Sequence, residues 1–254
     1  MKRINILLLI AVLTVISASN IWAATPIETD YVEDPAITAM IASNPAMLEN
    51  KLKAAMLKEI ENPESINIEI EHISPEETAL GRFKKIKVTA ARSTTENIVI
   101  DKAVIEFLDV ALNTKKLIEN EKIRIVKKCT INLDVIVKEE DLNKLLAIKA
   151  KKNKLENPRI RLNDGNIELS GATRYSIVKI EFWGKGNFSI KDDKEIWFHA
   201  SKLKVNRVSM PRNFIGSIVK RINPILDFSK FPFNVNLETI KITKGQIRIS
   251  SYPD

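Results

Sequence analysis

Residues 160–169 of the chain read IRLNDGNIEL. Apolar and polar residues alternate on both sides of Asn163-Asp164-Gly165, and a period of two is that of a strand with one buried face. An Asp-Gly pair between two such runs is typical of the tight turn of a hairpin. The stretch therefore predicts two antiparallel strands joined by a short turn.

The same alternation recurs on either side of this hairpin. Branched apolar residues occupy every second position in residues 66–70 and 131–137, and residues 240–249 repeat the whole pattern around Lys244-Gly245. Both hairpins end in Ile-x-Leu-Ser or Ile-x-Ile-Ser, which hints at a repeated unit too short to prove a duplication. Half-buried antiparallel strands are the structure expected of these runs.

Three segments carry the spacing of amphipathic helices instead. The first begins at Pro45 and ends before Asn62-Pro63, because proline suits a first turn and stops a helix beyond its end. The second begins with three acids at Glu139-Glu140-Asp141 and ends in lysines, which matches the helix dipole. The third begins at Met210-Pro211 and ends at Asn223-Pro224. Strands interrupted by three helices predict an α+β protein.

The first residues have the features of a secretory signal peptide. Lys2 and Arg3 precede an apolar run over residues 4–16 that is too short for a comfortable membrane span. Cleavage is expected after Ala23, with Ala24 as the second choice, and an uncleaved anchor is the alternative. No cysteine follows the run, which excludes a bacterial lipoprotein anchor. The chain is therefore expected in the periplasm or another extracytoplasmic part of the cell envelope.

Charge and cysteine content limit the partners. Residues 1–23 contain two basic and no acidic residues, so their removal lowers the net charge from +8 to 8 − 2 = +6. A mildly basic exported chain favours anionic lipid headgroups over nucleic acid. Cys129 is the sole cysteine, so the fold must rely on its core rather than on an internal disulfide. Residues 24–44, acidic and proline-bearing at their start, are predicted to be a flexible lead-in.

The sequence contains no recognisable catalytic or cofactor motif. His72 and His199 have no nucleophile and base around them and are interpreted as solvated or hydrogen-bonded structural residues. Glu76-Glu77 and Asp192-Asp193 lack calcium-loop spacing and are interpreted as solvated turns rather than metal ligands. Cys129 shares the parity of buried strand positions. We therefore predict that the protein is not an enzyme and that it binds neither a cofactor nor a metal.

The densest basic patch lies at the end of the second predicted helix and in the strand that follows. One interpretation is a solvated helix end and loop. The other is a tip that contacts the headgroups of an anionic membrane. The patch comprises Lys149, Lys151, Lys152, Lys154, Arg159 and Arg161.

The most specific stretch is near the C-terminus. Residues 222–228 read INPILDF and are followed by FPF at 231–233, VNLE at 235–238 and the Gly245 hairpin. This order resembles the C-terminal signature of the LmeA family of bacterial phospholipid-binding proteins. The upstream order of helices and strands, including EEDLN at 139–143, is similar as well. The resemblance covers about Met47 to Ser251.

That family is similar to the tubular lipid-binding (TULIP) proteins. The resemblance thus implies a strongly curved antiparallel sheet wrapped around amphipathic helices, in one domain over residues 45–254 that follows the signal peptide (1–23) and the lead-in (24–44). It implies non-enzymatic binding of a phospholipid or similar amphiphile in the envelope, with transfer as an extension. The alternative is an envelope adaptor whose core is filled by its own side chains and whose partner is another protein.

Under the lipid-binding interpretation, the contacting residues are expected on the last helix and just beyond it. These residues are Phe214, Ile215, Ile218, Val219, Ile222 and Phe228. A structural role in the core is the alternative for the phenylalanines at 228, 231 and 233, because three rings within six residues suit a core anchor equally well.

Overall fold

The structure is a computed structural model that describes residues 28, 30–58, 60, 62–95, 98–153, 155–175, 178–224, 226–227 and 234–253. The described helices are α1 (Pro35–Ser43), α2 (Pro45–Lys58), α3 (Pro75–Ala79), α4 (Thr114–Asn120), α5 (Glu139–Asn153) and α6 (Arg212–Ile222). The described strands are β1 (Ser65–His72), β2 (Arg82–Thr95), β3 (Ile98–Ala111), β4 (Thr130–Lys138), β5 (Leu155–Asn163), β6 (Asn166–Tyr175), β7 (Val178–Lys191), β8 (Glu195–Val205), β9 (Val208–Ser209), β10 (Leu226–Asp227), β11 (Asn234–Val235), β12 (Thr239–Thr243) and β13 (Gln246–Ser250). The predicted signal peptide lies outside the described residues. Among the helices that are described, none combines the length and apolar character needed to cross a membrane.

The strands form two sheets. The first has the order β1-β2-β3-β4-β13-β12 with β11 beside β4, and the second has the order β10-β8-β7-β6-β5 with β9 beside β8. Pairing between the described strands is antiparallel, apart from the short parallel contact of β11 with β4. The predicted α+β class with antiparallel strands is confirmed. The strands were expected in one curved sheet, whereas they form two sheets that do not close.

Each sheet is built on the same succession of elements. A helix of 14 residues, α2, precedes the meander β1 to β4 of the first sheet. A helix of 15 residues, α5, precedes the meander β5 to β8 of the second sheet. Consecutive strands pair as neighbours in both halves, which is the usual result of short connections. The halves differ because α3 and α4 interrupt only the first.

The two predicted glycine hairpins join the sheets. The Gly165 N–H donates to the Ile242 carbonyl (2.9 Å), and the Gly245 N–H donates to the Leu162 carbonyl (3.3 Å). Both glycines are in the left-handed region, with φ of 71° and 86°, where a side chain would be strained. The reciprocal bonds hold the tip of β5–β6 against the tip of β12–β13.

Helices cover one end of the first sheet. Leu48, Leu52 and Met56 of α2 are buried at four-residue intervals, which is the spacing of one helix face. They share a continuous core with Phe83 of β2 and Leu117 of α4, both fully buried. The first predicted helix is thus confirmed as α2.

Helix α5 covers the other end of the first sheet. It contacts β3 and β4 of that sheet and β5 of the second, and it buries Leu145 and Leu146. Its start is fixed by the buried carboxylate of Asp141, which accepts hydrogen bonds from Arg92 of β2 (3.1 Å) and from Lys144 (2.9 Å). Two cationic partners make the burial of this charge tolerable.

Two asparagines satisfy backbone groups at opposite edges of the second sheet. Asn143 of α5 donates to the Ile160 carbonyl (2.9 Å) and accepts from the Ile160 N–H (2.8 Å) in β5. Asn223, directly after α6, makes the same two bonds with Phe198 in β8, both at 2.8 Å. Each amide thereby occupies edge positions that an added strand would otherwise pair with. Asn143 belongs to the EEDLN segment and Asn223 to INPILDF, so both segments have a structural role.

The segment before α2 is fixed to the rest of the fold. Glu28 donates its backbone N–H to the Ile125 carbonyl (3.0 Å), and Asp34 caps α1 by accepting hydrogen bonds from two N–H groups of its first turn. Residues 35–43 were predicted to belong to a flexible lead-in over 24–44, but they form helix α1. The physical reason is the Asp34-Pro35 pair, which is a favourable helix start.

Candidate functional site

A strip of apolar side chains crosses the middle of the first sheet. The side chains lie in two neighbouring rows of cross-strand partners, and by the alternation of a strand they face the same side as the core positions Phe107 and Ile131. One row spans six strands and the other spans four. The apolar strip comprises Ile66, Ala90, Ala103, Val135, Ile249 and Ile240 in the first row and Ile68, Val88, Ile105 and Leu133 in the second.

The apolar strip is only partly covered. On β4, Leu133 and Val135 are half-buried, whereas Ile131 before them is 4% exposed and Val137 after them is 6% exposed. Exposure therefore rises in the middle of the strand and falls at both ends, because α2 and α4 cover one end of the sheet and α5 covers the other. The half-buried members of the strip are Ile66, Ile105, Leu133, Val135 and Ile240.

The dimensions of the apolar strip suit an extended hydrocarbon chain. Neighbouring strands are about 4.8 Å apart, so a row across six strands is about 24 Å long. One leaflet of a bilayer has a hydrocarbon thickness of about 15 Å, half of the whole core. Ala90 and Ala103 at the middle of the longer row have small side chains and are buried, at 3% and 7% exposed, so the half-buried residues lie on either side of them.

Helix α6 carries most of the residues predicted to contact lipid. It packs against β8 of the second sheet, where Ile215 is 7% exposed and Val219 is half-buried. The side chains of Phe214, Ile218 and Ile222, and the whole of Phe228, lie outside the described residues. Of the predicted set, the structure thus places Ile215 and Val219 on α6 beside the second sheet, whereas the apolar strip belongs to the first.

Sequence reasoning missed the apolar strip as a site. Ile131 and Leu133 have the same parity and similar size, and both were interpreted as ordinary buried strand positions. They differ in exposure, because helices that are distant in sequence cover Ile131 and leave Leu133 half-buried. Alternation alone carries no signal for that difference, because it reports which face is apolar and not how far the face is covered.

A concavity, which we call the N-terminal groove, lies at the Phe83 end of the first sheet. It has a volume of about 1110 Å³. Its apolar lining includes Val32, Pro35, Ala39, Leu80, Phe83 and Val110. Its charged lining consists of Glu28, Glu33, Glu77, Asp109, Arg82 and Lys127, a balance of 2 − 4 = −2. A lining of this sign disfavours an anionic headgroup.

Ion pairs fix the rim of the N-terminal groove. Arg82 lies 2.6 Å from a Glu33 oxygen and 3.2 Å from a Glu77 oxygen. The hydrogen bond that Arg82 donates to Glu77 and the charge of both carboxylates raise the pKa of Arg82. The guanidinium thus links the segment before α1 to the start of β2, and the rim is held by structural charge pairs.

The predicted basic patch divides between two elements. Lys149, Lys151 and Lys152 belong to the last turns of α5, but their side chains, and the whole of Lys154, lie outside the described residues. Arg159 and Arg161 are exposed on β5. They lie on the outer face of the second sheet, because the alternate residues Ile160 and Leu162 are buried on the inner face.

The residues considered for catalysis have structural surroundings. His72 places Nδ1 2.9 Å from the Thr78 hydroxyl and Nε2 3.2 Å from a Glu49 oxygen, and His199 Nε2 lies 2.7 Å from a serine hydroxyl. The interpretation of both as hydrogen-bonded residues is confirmed. Cys129 is 2% exposed, as predicted, and burial raises its pKa to about 11, so the thiol stays protonated at neutral pH.

The acidic pairs have local roles. Asp192-Asp193 form the turn between β7 and β8, as predicted. Glu76-Glu77 lie in the first turn of α3 rather than in a turn, since Ser74 and Pro75 start a short helix there. Within the described ranges, no group of three or more His, Cys, Asp or Glu side chains is placed to hold a metal ion.

Residues 45–251 match the LmeA-like phospholipid-binding family. The chain belongs to this family. The match begins at the first residue of α2 and ends just after β13, so it contains both sheets and every residue of the apolar strip. The predicted resemblance over about Met47 to Ser251 is confirmed. No curated protein and no solved structure was found to match the chain.

Proposed function

We propose that the chain binds a phospholipid or similar amphiphile with its acyl chains against the apolar strip. The observation that carries the proposal is the half-exposed pair Leu133 and Val135 between the covered Ile131 and Val137. An acyl chain laid on these residues removes two apolar surfaces from water at once, which is favourable. The phospholipid-binding character of the family supports the same ligand.

Two observations favour the apolar strip over the N-terminal groove. The strip lies wholly within the family match, whereas the groove is lined in part by residues 28–42, which precede residue 45. The charged lining of the groove sums to −2, while both rows of the strip are free of charged side chains. A surface without charge suits the hydrocarbon part of the ligand.

The energetics favour a lipid with two acyl chains. Burial of a methylene group contributes about 0.8 kcal/mol, so ten methylenes contribute about 8 kcal/mol. Association costs about 4 to 15 kcal/mol in lost motion. One short chain therefore barely offsets the cost, and a second chain supplies the surplus that holds the ligand.

We also propose that binding occurs without a reaction. The buried thiol of Cys129 is held protonated by its raised pKa, and His72 is engaged by Thr78 and Glu49. Neither group is free to act as nucleophile or base near the apolar strip. Binding, and transfer as its extension, requires no such group.

The proposal extends to shape and location. The two sheets with α5 between them are proposed to enclose the lipid in a tubular manner, as the resemblance to the TULIP proteins implies.

The apolar run after Lys2 and Arg3 supports export to the cell envelope. N-terminal sequencing of the protein from an extracytoplasmic fraction tests the location. A mature end at Ala24 or Thr25 agrees with it, and Met1 retained in a membrane fraction contradicts it.

Native mass spectrometry of protein purified without detergent tests the binding proposal. We expect one phospholipid mass on the chain and, after delipidation, uptake of a two-chain phospholipid in preference to its single-chain lysolipid. Protein that carries no lipid and takes up neither form would favour the alternative, an adaptor whose partner is another envelope protein.

A further inference from the structure

The outer face of the second sheet carries indole rings beside lysines. Trp183 of β7 and Trp197 of β8 are both half-buried there. Lys204 Nζ lies 5.4 Å from the centroid of the Trp183 ring, and Lys191 Nζ lies 4.5 Å from that of Trp197. Each indole is thus accompanied by a cation–π contact and stays partly at the surface.

Basic residues cross the same face in two neighbouring rows. From β5 to β8, the first row is Arg161, Glu168, Lys185 and Lys202, and the second is Arg159, Ser170, Trp183 and Lys204. The rows hold five cations and one carboxylate, a balance of 5 − 1 = +4. The one carboxylate, Glu168, lies 3.8 Å from Lys185. The four cations at the two edges of the face form no ion pair with the rest of the described chain.

On the outer face of the first sheet, charged side chains form pairs across neighbouring strands. There Lys84 lies 2.5 Å from Glu71, and Arg248 lies 2.6 Å from Asp134. Such cross-strand pairs neutralise each other locally. The two rows on the second sheet instead have a net charge of +4, and this excess of cations produces a positive potential that attracts anions.

We propose that the outer face of the second sheet docks on the surface of an anionic phospholipid membrane. This docking face consists of Arg159, Arg161, Lys185, Lys202, Lys204, Trp183 and Trp197. Tryptophan is favoured at the boundary between headgroups and hydrocarbon. Lysine and arginine stems lie along apolar surface and keep their charges among the headgroups. Charge and indoles on one sheet face therefore match both layers of a membrane interface.

The shape of the docking face agrees with this partner. Helices α5 and α6 contact strands β5 and β8, and the buried Ile160, Leu162 and Phe198 of those strands lie on the inner face. A groove of about 570 Å³ opens on the outer face beside Trp183 and Lys204. Its two carboxylates, Glu156 and Glu181, are already paired with Arg174 (2.5 Å) and Lys179 (3.0 Å), which leaves Lys204 and Arg207 for a headgroup phosphate.

The inference places the predicted basic tip on a broader surface. Arg159 and Arg161 were predicted to face a membrane as the end of a lysine-rich segment, and here they form one edge of the docking face. Docking deepens the proposed function. It rests on that function in one respect, which is that export brings the protein to an extracytoplasmic membrane. Occupancy of the apolar strip is not needed for docking, so the two proposals can fail separately.

The tryptophan content allows a direct measurement. The chain has three tryptophans, Trp22, Trp183 and Trp197, and the full chain carrying Trp22→Phe keeps indoles only on the docking face. We expect its fluorescence to shift to the blue and to be quenched by vesicles that contain brominated phosphatidylglycerol. Quenching reports contact of this face with acyl chains, whether or not residues 1–23 also bind the vesicle.

A matched pair of triple variants tests the role of charge. One variant replaces Arg161, Lys202 and Lys204 with glutamine, and the control replaces the exposed Lys122, Lys127 and Lys128, which removes the same charge elsewhere. Each basic residue near an anionic surface contributes about a factor of five to the partition coefficient. The first variant should therefore bind the vesicles about a hundredfold more weakly at low salt, as measured by titrating the quenching with lipid. The control should retain quenching within a few fold.

Four results would overturn the inference. The first is an absence of quenching by phosphatidylglycerol vesicles at low salt. The second is equal quenching by brominated phosphatidylcholine vesicles, which carry no net charge. The third is an equal loss in both triple variants, which would mean that net charge and not the docking face determines binding. A blue shift with nucleic acid but not with vesicles would likewise assign the face to another polyanion.

Discussion

Replacement of Leu133 by asparagine separates an open apolar strip from a filled core. Leucine and asparagine have the same branched arrangement of four side-chain heavy atoms, so the change introduces polarity while it keeps the shape of the side chain. Leu133 is half-buried, and in an open strip its new amide would remain hydrated. We therefore expect Leu133→Asn to lower the free energy of unfolding of lipid-free protein by about 1 kcal/mol, a fraction of the value for full burial.

Ile131→Asn is the matched control on the same strand and face. Ile131 is 4% exposed, so the substitution loses about 1.5 to 3 kcal/mol of apolar burial. It also buries an amide without partners, at a cost of about 1 to 3 kcal/mol. The expected loss is about 3 to 5 kcal/mol, several times that at Leu133.

Urea unfolding of delipidated protein and native mass spectrometry measure both consequences. Leu133→Asn should reduce phospholipid occupancy while it leaves most of the stability in place. If instead Leu133→Asn destabilises as much as Ile131→Asn, and the wild-type protein binds no lipid, the strip is filled by the protein's own side chains. The adaptor interpretation would then replace the lipid-binding one.

Further predictions concern parts of the fold away from the apolar strip. Gly186→Ala would place a methyl group 2.4 Å from a backbone oxygen of β8, so urea unfolding should show a loss of about 1 to 3 kcal/mol in the free energy of unfolding. Gly184→Ala, with its nearest neighbour at 3.7 Å, should be nearly neutral. Similar losses in the two variants would refute the packing argument. Asn143→Leu removes both bonds to the edge strand β5 and should cost about 2 kcal/mol, which an unchanged urea midpoint would disprove. Hydrogen bonds from two lysines lower the pKa of Glu121 from 4.5 to about 2, so its stabilisation is present above pH 4.5 and lost as the pH falls toward 2; the urea midpoint should fall more over that range in wild type than in Glu121→Gln, and parallel curves would contradict the pairing.

The elements of the fold were largely predictable because their signals are local. The alternation in residues 160–169 identified a hairpin that the structure contains, and the acids at 139–141 marked the start of α5. Two further helix starts also carry local signals. Asp34-Pro35 and Ser74-Pro75 both have a capping residue followed by proline, and they start α1 and α3.

The grouping of strands into two sheets was not predictable in the same way. Strand β4 pairs with β13, which is more than a hundred residues later in the chain. Such long-range pairing depends on which surfaces remain free after the local hairpins have formed, and a single sequence does not record it. The openness at Leu133 has the same origin, because it is set by where α2 and α5 end on the sheet.

The electrostatic features were visible in part. Arg159 and Arg161 were identified as part of a basic patch, but their alignment with Lys202 and Lys204 across three intervening strand pairings depends on register. The positions of Trp183 and Trp197 on the same face depend on it as well. A bulge between Lys185 and Gly186 shifts that register, which simple alternation does not anticipate.

Photocrosslinking shows directly whether acyl chains bind on the apolar strip. A phospholipid with a diazirine in its acyl chain is loaded into delipidated protein and irradiated, and the labelled residues are located by peptide mass spectrometry. An acyl chain bound on the apolar strip should leave labels on β3, β4 and β12, at or beside Ile105, Leu133, Val135 and Ile240. Labels confined to residues 31–42 and 73–83, which line the N-terminal groove, or an absence of specific labels in protein that retains its fold, would contradict it.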